Sequence, residues 1–599
     1  MDFFGHQELA RRRTKWLVFY FAAAVVCIIA ALHFGFCALS GQPFDNWEML
    51  GATAAGVLAV VAVGSLAKTA ELAKGGKVVA EMLGGVPVSP ATRDAGERRL
   101  LNVVEEMALA SGMAVPQVYV LDDGSINAFA AGYGTRDAVV GVTRGCVERL
   151  SRDELQGVVA HEFSHILHGD MRLNIRLIGL LNGILFLAVI GGVLMRIAAH
   201  SGGGRRNDKG GGSIVLLVVA AGLVLYLVGW IGVFFGKLIK AAVSRQREFL
   251  ADASAVQYTR NPDGIAGALS KIGEQGSRLE SPRAQEASHM FFGNGLAESW
   301  FQLFATHPPI PDRISRIRGL EKSRPEGVAI SGTRRPPSVP GGADAVAGAS
   351  LLAGMPMPVR DAAHESHGAC ALVYGLLLSR DAAVRSNQLE AVRADATLKA
   401  EAAKSAKANA GLSSAKKIAL VELSIPALRG LSAAQAVVFR KNIEALVAAD
   451  GRIQLFEYTL QKMLLRHLAS FFGGKPGERP KFSSIVPLLP DVGLVLSAIA
   501  NGEDGGNAAR GRSFEAGVSA LGEASAAYPL ARHDSVDLRE FDAALERLDE
   551  ASIRVKEKVL EACAAAAVRD GKVNDIQFEL LRAIGDTLGC PIPPSIPAE

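Results

Sequence analysis

Hydrophobic and polar positions fall into three kinds of pattern along the chain. Four runs are almost uninterruptedly apolar: Trp16 to Leu39, Met49 to Ala67, Ile175 to Ile197 and Ile214 to Ile239. Each is close to the ~20 residues a helix needs to cross a bilayer. The charges they hold, Arg176, Arg196 and Lys237, sit near the ends, where long side chains reach the headgroups. Four transmembrane helices are therefore expected. A helical period appears in Glu97 to Ser111, with Leu101, Val104 and Met107 on one face, and in Ser151 to Asp170. There Ser151 and Glu154 form a capping-box signature, and Leu155, Val158, Val159, Phe163, Ile166 and Leu167 make an apolar face. Alternation marks strands at Gln117 to Leu121, Ile126 to Ala131 and Ala138 to Val142, separated by DDG and GYGTRD turns. A small sheet beside the second helix follows, with an edge that can pair with an extended peptide. Lys68 to Val88 reads as an amphipathic connector, and Asn261 to Gly273 as a helix opened by a cap and a proline.

Beyond residue 320 the pattern changes. Residues 321–350 are rich in proline, glycine and small side chains, which predicts a flexible linker. Residues 351–599 are alanine-rich and helical with no long apolar run, which predicts an all-α soluble domain. Two stretches in it resemble each other: Asp450, Gly451, Ile453, Phe456 and Tyr458 align with Asp570, Gly571, Val573, Ile576 and Phe578. His364 and His367 have no accompanying ligand motif and read as solvated.

Composition and charge place the chain. Nearly half of it, 49%, is hydrophobic, and the apolar runs account for the excess. A net charge of only +4 gives nucleic-acid binding no support. Six scattered cysteines lack any ligand spacing and read as reduced packing residues. Arg11, Arg12, Arg13 and Lys15 before the first span predict a cytoplasmic N-terminus, and the loop Gly41 to Glu48, with Asp45 and Glu48, suits the outside. The basic loop between the third and fourth spans opposes this scheme; either the early charges dominate or those two spans form a hairpin that does not fully cross.

The chemistry concentrates in HEFSH, residues 161–165. His161 and His165 are one helical turn apart, so both rings project from one side, with Glu162 beside them. Even with twelve histidines, HExxH arises by chance in about one chain in a hundred of this size, so the motif carries weight. A metal held by two histidines needs a third ligand, and Glu248 in SRQREFLADAS is the best candidate; Asp252, one turn later, is placed to accept a hydrogen bond from a ligand histidine. Zinc with three protein ligands keeps a position open for water and suits peptide hydrolysis, with Glu162 as the proton carrier. His168 also faces that side, and reads as an outer or surface residue, with Asp170 as an orienting hydrogen-bond partner. Only ten residues separate His165 from Ile175, and nine separate Ile239 from Glu248, about 15 Å each if helical. Both ligand helices are expected to continue membrane spans, with the metal close to the membrane surface.

HEFSHILHGDM, REFLADA and THPPIPDRI together resemble the HtpX-like membrane-integral zinc endopeptidases, relatives of the type I CAAX-prenyl and Oma-type proteases. The resemblance runs from the N-terminus to about Leu320. It implies a mainly α integral membrane protein: two spans in residues 1–67, then a zincin-type α+β protease domain over 68–320 interrupted by two more. It implies one Zn2+ per chain, held by His161, His165 and Glu248, with Glu162 as base and then acid. His307 and Arg313 would position substrate or stabilise the oxyanion, and Asn127, Ala128 and Phe129 match the segment that lies along the substrate cleft. At position 168 the family more commonly carries asparagine. Its role would be removal of damaged membrane proteins, by a multi-pass protein of the bacterial inner membrane facing the cytoplasm. Protein substrates and the lipid bilayer are the implied partners. The C-terminal repeats resemble TerB-like domains, stress-associated interaction modules, and imply a protein partner there. Two alternatives remain at this point: a scaffold acting through the C-terminal region, and a CAAX-type processing protease.

Overall fold

A computed structural model describes residues 3–201, 219, 222–224, 247–276, 290–293, 307–322, 345–449, 455–469, 480–504, 506–523, 528–568 and 573–592. Three of its helices hold stretches long and apolar enough to cross a membrane, Phe19–Ala38, Trp47–Leu72 and Asp170–Ile197. They belong to α1 (Phe3–Ser40), α2 (Trp47–Leu72) and α7 (Asp170–Ser201). The expected fourth span, 214–239, lies almost wholly outside the described residues. Small residues bring α2 and α7 together: a Cβ on Gly183 would stand 2.3 Å from the Val61 carbonyl oxygen. At the same crossing the Ser65 hydroxyl donates to the Leu180 carbonyl at 3.0 Å. Close backbone approach of this kind is what lets apolar helices associate where no water is present to drive them.

Beyond α2 the expected connector folds into α3 (Gly76–Met82) and a short strand, β1 (Gly85–Pro87). β1 runs antiparallel to β2 (Gln117–Leu121), which pairs in parallel with β4 (Val139–Thr143), and β4 pairs antiparallel with β3 (Ala128–Ala131). The order β1-β2-β4-β3 makes β3 an edge by topology. It is not a free edge. Phe291 forms an antiparallel bridge with Phe129, and the Phe292 amide donates to the Ala128 carbonyl at 2.8 Å. The free edge anticipated from the strand pattern is thus covered here by a segment more than 150 positions downstream, beyond the reach of local periodicity.

Both faces of the sheet are buried, as the strand period of two demands when each face meets an apolar layer. Val118, Val120, Ala128, Ala130, Val140 and Val142 point into the core shared with α4 (Ala95–Ser111), α6 (Arg152–His168) and α9 (Pro262–Gln275). The alternate residues Tyr119, Leu121, Phe129, Ala131 and Val139 pack with Leu72, Val79, Ile175 and Ile178 from the membrane-proximal side. Gly141 is required there: a Cβ would stand 2.3 Å from the Phe129 ring, which lies over it.

Two expectations change beyond the protease region. The helix Ala345–Ala353 lies against α4 so closely that a Cβ on Gly348 would meet the Glu106 carbonyl oxygen at 2.1 Å. Leu352, Met355, Val359, Leu420 and Leu423 join the same hydrophobic core as Val104 and Met107. His364, expected to be solvated, is buried, with Nε2 2.8 Å from Glu105 Oε1 on α4. His367 is half exposed, 3.1 Å from Glu401. The two Asp-Gly turns at 450–451 and 570–571 lie outside the described residues. No cysteine is in a disulfide; all but Cys27 are buried.

Candidate active site

The capping box forms as expected: Ser151 Oγ accepts from the Glu154 amide at 3.2 Å, and Glu154 Oε2 accepts from the Ser151 amide at 2.7 Å. It starts α6 in the register that turns His161 and His165 to one side, their Nε2 atoms 3.2 Å apart. The helix ends where Gly169 adopts the left-handed region at φ 72°, and α7 begins at Asp170. α6 is therefore not a direct extension of the span that follows, as the spacing had suggested. The break has a use: it folds Asp170 back so that Oδ2 lies 3.0 Å from His165 Nδ1.

Opposite α6 stands α8, residues 247–259. Glu248 Oε2 is 3.6 Å from His161 Nε2, and Oε1 is 3.8 Å from His165 Nε2. These three residues form the candidate metal cluster among the described residues. Zinc–nitrogen bonds of about 2.0–2.1 Å in a tetrahedron put ligand atoms roughly 3.3 Å apart, so the donors fit one ion with little movement. Asp252 Oδ1 stands 3.0 Å from His161 Nδ1. With carboxylates at both Nδ1 atoms, both Nε2 lone pairs are left facing the common centre, the arrangement that orients metal-ligating histidines.

The surrounding charges are arranged for that centre. Burial would raise the Glu248 carboxyl, yet His307, His161 and Arg313 hold it well below the usual carboxylate range. His161 is pushed up to about 9: burial opposes this, but Asp252 and Glu248 prevail. Glu162 behaves differently. Burial raises it, only partly offset by His161 and His165. Neither of its carboxylate oxygens has a hydrogen-bond partner among the described residues. A buried carboxyl that lacks a protein partner and leans toward protonation is suited to taking and returning a proton.

The remaining expected residues fall as follows. His307 is buried, its Nδ1 2.9 Å from Glu248 Oε2. Arg313 donates from Nε and Nη2 to the two oxygens of Asp252 at 2.8 and 2.6 Å, and from Nη1 to the Phe292 carbonyl at 2.9 Å. Its fork holds the carboxylate that holds His161. Asn127 Oδ1 accepts from the Gly293 amide at 3.1 Å, so Asn127, Ala128 and Phe129 all engage the chain's own residues 291–293. The Phe129 ring belongs to the core, which leaves only its backbone facing the edge. The His168 ring is turned to Ser164 Oγ at 2.9 Å. Sequence reasoning missed Arg247, whose Nη1 lies 2.9 Å from Asp170 Oδ1; its place directly before Glu248 was the available signal. It also missed Phe292, whose ring packs edge-on against His161 with centroids 4.7 Å apart.

Residues 94–321 match Peptidase family M48. With the His-His-Glu cluster inside that span and three membrane-length helices, the molecule is a membrane-associated metalloprotease. The chain is 40% identical over 219 residues to a Protease HtpX homolog of Dictyoglomus thermophilum, covering 37% of this chain and 68% of the relative. A Protease HtpX homolog of Caldanaerobacter subterraneus is 38% identical over 244 residues, 41% of this chain and 78% of the relative. One from Listeria monocytogenes is 41% identical over 227 residues, 37% and 73%. The chain belongs to peptidase family M48, as an HtpX-like member.

Proposed function

We propose that this protein is a zinc-dependent endopeptidase that cuts membrane or membrane-proximal polypeptides. The observation that carries the reading is the pairing of a three-donor cluster with a buried carboxylate, Glu162, next to it in sequence and without a hydrogen-bond partner among the described residues. In this reading His161, His165 and Glu248 hold the ion, and zinc is favoured by two imidazoles and one carboxylate at these separations. A bound zinc ion would supply Lewis acidity to the scissile carbonyl and to the attacking water. Glu162 takes a proton from that water on its carboxylate and returns it to the leaving amine. Asp252 and Asp170 fix the ligand rings, and Arg313 and Arg247 fix those carboxylates in turn. His307 is left as the donor nearest the ligand set that can meet developing negative charge on the substrate.

For Asn127, Ala128 and Phe129 on β3 to receive the substrate backbone, residues 291–293 must give up their pairing with that edge; main-chain pairing of this kind favours many sequences over one. Loose preference suits removal of damaged membrane proteins, the role we favour over CAAX processing, at a site that α7 and α2 keep near the membrane with the protease region in the cytoplasm. The test is cleavage of an unfolded membrane-protein reporter by detergent-purified protein. Chelation should abolish cutting and stoichiometric Zn2+ should restore it. Cutting that survives complete metal removal contradicts the proposal.

A further inference from the structure

The turn between β3 and β4 is gripped from two sides, and one of them is the C-terminal helical region. Internally the turn is braced by Asp137, whose oxygens accept from the Tyr133 and Gly134 amides, both at 2.8 Å. Toward the membrane it rests on the start of α3. Gly75 has φ +92°, and a Cβ on Gly76 would stand 2.2 Å from the Ala131 carbonyl oxygen, so no side chain fits between. On the far side, Arg429, at the end of the helix Ser414–Arg429, donates Nη2 to the Arg136 carbonyl at 3.0 Å. Arg136 itself reaches outward: its Nη2 donates to the Thr587 carbonyl at 3.3 Å and lies 3.8 Å from Asp549. Arg466 fixes that socket, donating to Asp549 at 2.6 Å and to the Thr587 carbonyl at 2.7 Å.

Arg429 is 7% exposed, and its Nε has no hydrogen-bond partner among the described residues. Burying a guanidinium is costly even with one backbone carbonyl bonded and the Asp137 carboxylate acting on it, and leaving one of its donors unmet adds to the cost. Stability alone does not account for such a contact. Its position does: the turn joins the last residue of β3, Ala131, to the first of β4, Val139, and these two are paired across the ladder. Where the turn sits therefore sets the register of β3.

We infer that the C-terminal helices are a positioning element of the protease, and that Arg429 and Arg136 hold the β3–β4 turn so that β3 keeps the register in which its edge pairs with residues 291–293 or, in their place, with substrate. The inference rests on the reading of β3 as the substrate-binding strand. A consequence is that loosening the Arg429 and Arg136 contacts is felt as a change in substrate affinity while the metal centre, carried on α6 and α8, stays intact.

The experiment uses the full-length, detergent-purified protein with a fluorogenic peptide substrate. Wild type, Arg429→Met, Arg429→Lys and Arg136→Met are compared for KM, kcat, bound zinc and amide hydrogen exchange, with Glu162→Gln as the control. Arg429→Met should raise KM about tenfold, the scale of a misplaced binding element. Its kcat and zinc content should match wild type, and residues 130–137 should exchange faster while α6 does not. Arg429→Lys should recover part of the KM. Arg136→Met, at the rim, should shift KM in the same direction by less, and it carries the test if Arg429→Met does not fold. Unchanged KM and exchange in both methionine variants overturns the inference; so does a joint loss of kcat, zinc and α6 protection in Arg136→Met, which marks general damage. If Glu162→Gln cuts as fast as wild type, the site reading has failed, and the exchange data still decide whether the clamp exists.

Discussion

Two of the places where the described residues bury charge are finished differently. Around His161, the carboxylates Glu248, Asp252 and Asp170 and the cations Arg313 and Arg247 lock one another, yet Glu162 in their midst keeps both oxygens unpartnered among the described residues. Between Glu422 and Arg582 there is no such opening. Those side chains pair with each other, and Arg582 also donates to the Gly112 carbonyl, 2.8 Å away at the end of α4, and to the Ile592 carbonyl. In the first cluster the described residues leave buried polar atoms of Glu162, and also of His307 and Arg247, without a hydrogen-bond partner; in the second the two charges pair directly and tie the C-terminal helices to the protease core. Buried charge alone is therefore a poor sign of function. Buried charge with one group left waiting is a better one.

The difference predicts opposite responses to substitution. The largest effect belongs to the open cluster: His161→Ala or Glu248→Ala should lose the bound metal and with it all measurable peptidase activity, as read by metal analysis and peptide cleavage. Asp252→Asn should be milder, weakening metal affinity by about 10–100-fold, because it leaves the ligands in place but loosens the His161 ring. Metal competition titration reads this directly.

In the closed cluster the metal should not respond and stability should. Arg582→Met leaves Glu422 buried without its partner and should cost about 3–5 kcal/mol, whereas replacing both residues with apolar ones should cost much less. The comparison is made by denaturant titration in detergent with zinc content followed alongside. Zinc loss that tracks the unfolding of neither variant would erase the distinction drawn between the two clusters.

The smallest effect is one of pH. Burial pushes Glu422 up to about 7 despite the opposing pull of Arg582. A carboxyl raised on folding binds its proton more tightly in the folded chain, so its contribution to stability is complete below the unfolded value of about 4.3. That contribution is lost as pH rises through about 7. Wild type should lose ground to Glu422→Gln across that window, by at most roughly 4 kcal/mol. An unchanged difference from pH 4 to 8 would remove the pH argument.

The two clusters were also unequally legible in the sequence. His161, Glu162 and His165 lie within five residues on a capped, periodic helix, and Glu248 and Asp252 share one face of another, so local spacing was enough to bring them into view. Glu422 and Arg582 are 160 positions apart on alanine-rich helices, and nothing local joins them. The same limit explains His364, read as solvated because its partner Glu105 lies 259 positions earlier. It explains β1 as well: a strand of Gly85–Pro87 has too few residues to display a period, and only its pairing with β2 defines it. Gly169 marked the end of α6 in plain sight, but the apolar run that follows it invited a continuous helix.

The most direct test of the account is a paired measurement on Glu162→Gln: zinc bound per chain, and the rate of peptide cleavage beside wild type. The account predicts full zinc occupancy with cleavage reduced about a thousandfold, the scale expected when a proton-transfer group is removed and the ligands are not. Full occupancy with wild-type cleavage would contradict it, because the buried carboxyl beside the ligand histidines would then have no part in the reaction.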